Sequence, residues 1–216
     1  MADRYRSFAD LAAHEKEDLD FRIRSDERHG PAAVIAPHGG GIEPGTSELA
    51  EAIAGDDLSF YSFEGLKKRG NGVLHITSSR FDEPNALALV AASPAAVALH
   101  GELDCPDQVV FLGGLDKELG KRIQAALEAA GFVVRIHGDP NLQGVDKNNI
   151  CNRGRSGQGV QLELSQPLRD SFFPSFDRRG REKRTQQGDR FVDAMRKAIL
   201  GRNAGEASKA DKTNES

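Results

Sequence analysis

The sequence predicts a single-domain α/β fold. Its 216 residues suffice for one hydrophobic core without covalent cross-links. Short apolar runs typical of strands alternate with segments whose apolar residues recur at helical spacing. The first run also leads through a glycine-rich loop into a helical segment, and ligands of open α/β sheets lie where such loops follow the strands. We therefore expect a functional site at the carboxyl ends of the strands.

Seven apolar runs predict the strands of the sheet. The last run alternates, so that Val160, Leu162 and Leu164 point to one side and Glu163 points to the other. The predicted strands are, in chain order, residues 32–36, 58–63, 73–77, 95–100, 108–112, 132–136 and 159–165.

Five segments predict helices. The second has Thr46 or Ser47 as its N-cap and stops at Gly55, and the fourth has one apolar face and stops at Gly131. The predicted helices are residues 8–19, 46–54, 85–92, 116–130 and 184–200.

Three further segments lack regular patterns. Residues 138–159 form a long polar, glycine-rich stretch that is either functional or loosely ordered, and residues 166–180 are expected to be irregular. Residues 201–216 are polar and small, which predicts a disordered tail after a domain that spans residues 1–200.

The composition is that of a globular protein without membrane spans. Hydrophobic residues make up 38% of the chain and charged residues 29%. No apolar run reaches the ~18 residues of a membrane span. The first ten residues carry charges but no apolar stretch of a secretion signal, so we expect a cytoplasmic protein. Cys105 and Cys151 stand far apart, which argues against a disulfide framework and a thiolate metal site.

The charge is unevenly distributed. A net charge of -4 disfavours nucleic acid as a partner. Residues 141–184, however, contain nine Lys or Arg against five Asp or Glu. The sequence therefore predicts one basic region on an acidic body.

His38 and Glu43 enclose three consecutive glycines after the first strand. A phosphate cradle would need GxGxxG spacing or a Walker A lysine, and neither is present. An esterase oxyanion hole would need a GxSxG nucleophile elbow, which is also absent. Metal ligation by one imidazole and one carboxylate is the functional interpretation left, and a surface turn is its alternative.

Later strands supply further candidates for the same site. His100 ends the fourth predicted strand before a glycine, and His137 ends the sixth in the same way. Either could complete a His2Glu zinc site at one edge of the sheet. Glu163 could act as general base toward a metal-activated water, with an exposed strand carboxylate as the alternative. His75 could line the site or be structural.

Several motifs in order resemble the phage-type poly-γ-glutamate hydrolase family, which is related to zinc carboxypeptidases. The resemblance covers about residues 8–200. The motifs are His38-Gly-Gly-Gly-Ile-Glu43, Phe63-Glu-Gly65, Leu74-His-Ile-Thr-Ser78, Phe81-Asp-Glu-Pro84, Leu99-His-Gly101, Asn149-Ile-Cys-Asn-Arg-Gly154 and Gln161-Leu-Glu-Leu-Ser165.

The resemblance implies a fold, a cofactor and a reaction. It implies an open mixed β-sheet flanked by helices, as in zinc carboxypeptidases. It also implies one Zn2+ ion bound by His38, Glu43 and His100, which selects His100 over His137. Glu163 takes the place of the catalytic general base. The implied reaction is zinc-dependent hydrolysis of the γ-glutamyl amide bonds of poly-γ-glutamate.

The implied substrate agrees with the basic region. Each unit of poly-γ-glutamate keeps a free α-carboxylate, so the polymer is a polyanion that needs cations for binding. We expect Arg153 and Arg155 to bind it, together with Arg80, Arg169 and His75. The phage-type resemblance and the missing secretion signal suggest a cytoplasmic protein that is released on host lysis.

Two other functions stay open at this point. A zinc amidase or deacylase acting on small N-acyl amino acids would use the same ligands. A non-enzymatic, phage replication-associated protein could instead bind nucleic acid through Arg178-Arg-Gly-Arg-Glu-Lys-Arg184, although no aromatic platform accompanies this basic run. The sequence gives no oligomeric state and no preference for D- or L-glutamate units, and it does not distinguish endo from exo cleavage.

Overall fold

Seven strands form one mixed sheet in the computed structural model, which describes residues 3–201. The strands are β1 (Phe21–Asp26), β2 (Ala33–Gly40), β3 (Ser59–Gly65), β4 (Ala96–Glu102), β5 (Val110–Gly114), β6 (Val134–Arg135) and β7 (Val160–Ser165). Their order across the sheet is β1-β3-β2-β4-β7-β5-β6. The central strands β3, β2, β4 and β7 are parallel, whereas β1 runs antiparallel to β3 and β5 antiparallel to β7. The predicted mixed α/β fold is confirmed.

Helices cover both faces of the sheet. They are α1 (Phe8–Ala12), α2 (Thr46–Ala54), α3 (Pro84–Ala92), α4 (Lys117–Ala129), α5 (Gln166–Ser171) and α6 (Gln186–Leu200). One core cluster joins Val34 and Val97 to α2, α4, α5 and α6, and we call this side the α6 face. A second cluster joins Ile35 and Ala98 to α1 and α3 on the opposite side, the α3 face. Strand alternation thus divides the apolar residues between two cores.

Most predicted elements are present with small shifts of their ends, and α2 has the bounds expected. The N-cap of α2 is Gly45 rather than Thr46 or Ser47. Asp116 and Thr185 cap α4 and α6 by accepting backbone N–H bonds. Most of the predicted tail lies outside the described residues, which end at 201. Among the described helices, none combines the length and apolar character needed to span a bilayer.

Four parts of the secondary-structure prediction are wrong. The predicted helix 8–19 ends at Ala12, and the chain then turns through Asp18, whose φ is +62°. Strand β1 was not predicted, because an edge strand with alternating arginines hides its apolar period. Residues 73–77 are no strand, since a 3-10 turn at Asn71–Leu74 leads into an extended loop. Helix α5 lies in the segment expected to be irregular.

An irregularity in β2 decides where His38 points. The pairing of β2 with β3 shifts between Ala36 and Gly39, where three steps along β2 match two along β3 from Ser62 to Glu64. This is a β-bulge, and it contains Pro37, which lacks the N–H that a regular ladder would use. If the present sequence paired regularly, His38 would alternate with Val34 and Ala36 and point toward the α6 face. The bulge turns its imidazole to the α3 face instead.

Candidate metal centre

Three side chains from two parallel strands converge on the α3 face. The Nδ1 atoms of His38 and His100 are 3.1 Å apart. Glu43 places Oε1 3.1 Å from Nδ1 of His38 and Oε2 3.6 Å from Nδ1 of His100. Both imidazoles are buried. The strand ends thus bring the three predicted ligands into mutual contact.

The glycine loop after β2 folds back on itself to present Glu43. The backbone N–H of Glu43 donates to the carbonyl of His38, at 2.9 Å. Its Oε2 also accepts the backbone N–H of Gly101, at 2.9 Å. At Gly39, an added Cβ would lie 2.4 Å from Oγ of Ser47 and 2.5 Å from Oγ of Ser62, so the close packing of this loop needs glycine there.

The outer nitrogens of both rings have partners in the loop that follows the 3-10 turn. Nε2 of His38 lies 2.8 Å from the carbonyl oxygen of Ile76, which can only accept, so this nitrogen carries the proton. Nε2 of His100 lies 3.4 Å from Oγ of Ser78. His38 therefore directs a lone pair on Nδ1 toward the carboxylate of Glu43, which is the tautomer that a metal ligand needs. The hydroxyl of Ser78 can accept from Nε2 of His100, which allows the same tautomer in that ring.

These atoms fit a small divalent cation. Four ligands at 2.0–2.1 Å in a tetrahedron lie about 3.3 Å from one another. The three separations of 3.1, 3.1 and 3.6 Å bracket that value. Burial would raise the pKa of Glu43, but the neighbouring imidazoles of His38 and His100 hold it well below its usual range. One bound cation would satisfy the charged carboxylate of Glu43 and the Nδ1 lone pairs of both histidines.

His75 is a rival third ligand that the sequence did not single out as one. Its ring stacks on that of His38 with centroids 4.0 Å apart, and His38, Glu43 and His75 offer ligand atoms within 4.8 Å of one another. Nδ1 of His75 is 2.7 Å from the carboxylate of Asp3. Electrostatic interaction with the neighbouring His38, followed by burial, lowers the pKa of His75 to about 4. His100 and His75 are therefore both candidates for the third position, and His100 lies 3.1 Å from Nδ1 of His38 and 3.6 Å from Glu43.

Glu163 lies on β7 directly beside His100 of β4, because the two residues pair in the register of these neighbouring strands. It is buried, and its Oε1 accepts a hydrogen bond of 3.0 Å from Nε2 of Gln161. Oε1 of Gln161 in turn accepts from Nδ2 of Asn149, at 2.7 Å. Burial, reinforced by the negative charge of Glu43, raises the pKa of Glu163 well above its usual value. The carboxyl is thereby oriented and prepared to carry a proton.

Arg169 departs from its expected role as a substrate contact. Its side chain is fully buried, and it donates to the carbonyls of Leu164, Pro44 and Glu102 at 3.0, 2.6 and 3.2 Å. Leu164 and Glu102 lie at the carboxyl ends of the strands that carry Glu163 and His100, and Pro44 lies in the loop after the strand that carries His38. Since its nitrogens are bound to the protein, Arg169 ties the three strand ends together.

Replacing Arg169 by Met should lower the free energy of unfolding by about 3 kcal/mol, because it leaves buried carbonyls without donors. Urea denaturation of Arg169→Met measures this change. Arg179→Met is the matched control, since Arg179 is exposed. Equal stability of the two variants would refute the role assigned to Arg169.

Two of the other predicted substrate arginines, Arg153 and Arg155, lie away from the centre. The backbone N–H of Arg155 donates to the carbonyl of Ser93, and Gly154 packs on Ala95, so Arg153 and Arg155 lie at the amino end of β4. His100 is near the carboxyl end of that strand, about 16 Å further along. Arg80 is exposed and binds the carboxylate of Asp3 at 2.6 Å, and this carboxylate also binds Nδ1 of His75. The structure thus places Arg153 and Arg155 at the end of β4 opposite the metal centre, and their contact with substrate stays a prediction.

Comparisons with known proteins agree on one family. The family of poly-gamma-glutamate hydrolases matches residues 5–194. YndL of Bacillus subtilis (strain 168), a UPF0714 protein, is 38% identical over 192 residues, which are 88% of this chain and 74% of YndL. A zinc-free structure of YndL has a TM-score of 0.86 at 36% identity and covers 92% of this chain and 98% of that one.

A bacteriophage enzyme has a similar structure. The structure of a bacteriophage poly-gamma-glutamate hydrolase has a TM-score of 0.87 at 33% identity, over 91% of this chain and 96% of that chain. The family match spans most of the sequence, and the sheet and its strand-end site agree with it. This chain belongs to the poly-γ-glutamate hydrolase family.

Proposed function

We propose that this protein hydrolyses the γ-glutamyl amide bonds of poly-γ-glutamate with one zinc ion bound by His38, Glu43 and His100. The observation that carries the proposal is the convergence of the two Nδ1 atoms and the Glu43 carboxylate at 3.1–3.6 Å, beside the buried Glu163. Membership of the family supplies the class of substrate.

Zinc is supported by the chemistry of the ligands. Two imidazole nitrogens and one carboxylate, with a further position open, form the usual ligand set of hydrolytic zinc enzymes. The related YndL has been described in a zinc-free form, which is consistent with the same ion here. Ile76 and Ser78 would then hold the outer nitrogens of His38 and His100 and keep both rings in the ligating tautomer.

A bound zinc ion supplies Lewis-acid activation of the amide carbonyl and of water. Glu163 accepts a proton from the attacking water as the new C–O bond forms, and it passes this proton to the amide nitrogen as the C–N bond breaks. The products are one carboxylic acid and one amine, so atoms and charge balance. Gln161 and Asn149 hold Glu163 in place during both transfers.

The experiment that tests this function is hydrolysis before and after metal removal. The purified protein should contain about one zinc per chain and should shorten poly-γ-glutamate, as followed by gel filtration. Dialysis against a chelator should abolish the shortening, and added Zn2+ should restore it. An N-acyl amino acid serves as the comparison substrate. Hydrolysis that continues without metal, or that is confined to the small substrate, would overturn the proposal.

A further inference from the structure

The pocket at the metal centre is lined by negative charge, which is unexpected for a site that binds a polyanion. Its volume is about 870 Å³, and the described residues that line it include no lysine or arginine. Five carboxylates line it instead, namely Glu43, Glu102, Asp104, Asp146 and Glu163. Even with a divalent cation present, this pocket cannot balance a polymer that carries one carboxylate on each unit. Cations that bind the rest of the polymer must therefore lie outside it.

A neighbouring cleft supplies such cations. It has a volume of about 210 Å³ and is lined by Arg22, Arg24, Arg178 and Arg181, and we call it the arginine cleft. Two carboxylates, Glu48 and Glu64, also line it, and Glu51 forms an ion pair with Arg24, so the cleft has an excess of one positive charge. The positive charge of the cleft complements the negative charge of poly-γ-glutamate.

Three of the four arginines are held in place by the protein. Nε of Arg181 donates to Glu48 at 2.8 Å, and its NH1 donates to the carbonyl of Phe176 at 2.7 Å. Arg22 and Arg24 project from the edge strand β1 and both bind the buried Glu64. Guanidinium groups fixed in this way lose little conformational freedom when they bind a carboxylate.

Arg178 differs from the other three arginines. Its side chain is exposed and has no hydrogen bond or ion pair among residues 3–201. An arginine without a partner, next to three that are fixed, leaves a forked donor available for a carboxylate from outside the protein.

The cleft adjoins the metal centre through the glycine loop. Gly40, which lines the cleft, is two residues after His38, a separation of about 7 Å along the strand. Gly40 pairs with Gly65, the other glycine of the cleft, and has a φ of +62°. A Cβ at Gly40 would lie 2.7 Å from the carbonyl oxygen of Gly65. Gly40 is thus packed tightly on Gly65 where β2 passes from the metal centre to the cleft.

We propose that the arginine cleft binds α-carboxylates of poly-γ-glutamate units that flank the bond being cleaved. This inference rests on the proposed function and adds the site that neutralises the polymer. The start of the basic run at residues 178–184 thereby contributes to a substrate site rather than to a nucleic-acid contact.

Polymer binding to an inactive protein tests the inference. In the full chain carrying Glu163→Gln, the probe is poly-γ-glutamate of defined length, and calorimetry measures its Kd. Adding Arg178→Glu should weaken binding about five- to tenfold, through loss of one contact and reversal of its charge. Arg190→Glu is the matched control, because Arg190 is an exposed arginine in a groove between α4 and α6. It should change Kd less than about twofold.

The two proposals fail in distinguishable ways. Equal Kd values for the Arg178→Glu and Arg190→Glu proteins, or no polymer binding to Glu163→Gln, would overturn the arginine cleft. A wild-type protein that binds the polymer but never shortens it would overturn the proposed hydrolysis and leave the cleft supported. Thermal unfolding and zinc content should be the same in both double variants, which separates a binding defect from misfolding.

Discussion

We expect Glu163→Gln to lower kcat on poly-γ-glutamate by about 10³-fold while the bound zinc is retained. The amide has nearly the shape of the carboxyl and can still accept the hydrogen bond that Gln161 donates at 3.0 Å. It cannot take a proton from water or deliver one to the leaving nitrogen. Metal analysis and the rate of polymer shortening, measured on the same preparation, test both halves of this expectation.

Asp104→Asn is the matched control for Glu163→Gln. Asp104 also lines the pocket, but it lies on the rim and is exposed. Its loss should change kcat by less than about threefold, since exposed charges interact weakly. Unaltered hydrolysis by Glu163→Gln would remove Glu163 as the proton carrier. An equal loss in both variants would show that the pocket needs negative charge rather than a base.

His100→Ala should release the metal, and His75→Ala should not. Removing a direct ligand is expected to weaken zinc binding by more than the ~10–100-fold that loss of an outer-shell partner costs. His75 stacks on His38 and binds Asp3, so its loss is expected to stay within that range. Competition with a chromogenic chelator gives the affinity of each variant.

The His100→Ala and His75→Ala variants together decide whether His100 or His75 is the third ligand beside His38 and Glu43. Hydrolytic activity should depend on bound zinc. Excess Zn2+ should therefore restore the activity of His75→Ala more fully than that of His100→Ala. The reverse order, with metal lost from His75→Ala and kept by His100→Ala, would assign the third position to His75. Circular dichroism of both variants shows whether either substitution unfolds the chain.

Strand ends made much of the site predictable. Apolar runs that stop at His38 and His100 indicated two parallel strands with imidazoles at one edge, and the structure brings their Nδ1 atoms to 3.1 Å. Alternation in the last strand likewise separated Glu163 from the apolar residues of β7. These are local patterns, and local patterns can be read from one sequence.

Strand pairing explains why two of the predicted substrate arginines lie far from the metal centre. Because β7 is parallel to β4, the residues just before β7 must lie at the amino end of β4, opposite the metal centre. Arg153 and Arg155 precede β7. Nothing in one sequence states which strands pair, so their closeness to Glu163 along the chain was misleading. Arg22, by contrast, lies on an edge strand that was not predicted, far from the glycine loop in sequence.

The loop at residues 75–78 shows a different limit. The sequence predicts a strand over residues 73–77 because Val73, Leu74 and Ile76 are apolar. In the structure, however, the loop holds His38 through the backbone carbonyl of Ile76. Every residue has a carbonyl, so residue identity could not indicate that the one at Ile76 fixes the tautomer of His38. Ser78 gave a weak signal through its hydroxyl, and Asp3 gave none.

The bulge in β2 makes the metal centre depend on how β2 pairs with β3 as well as on the identity of its residues. If β2 paired regularly over its present length, every ligand would be kept, but His38 would turn toward the α6 face. A chain lacking Pro37 would pair regularly and keep the histidine on the α3 face, because the histidine would then follow Ala36 directly. Homologues should therefore either keep the extra residue together with the bulge or lack both.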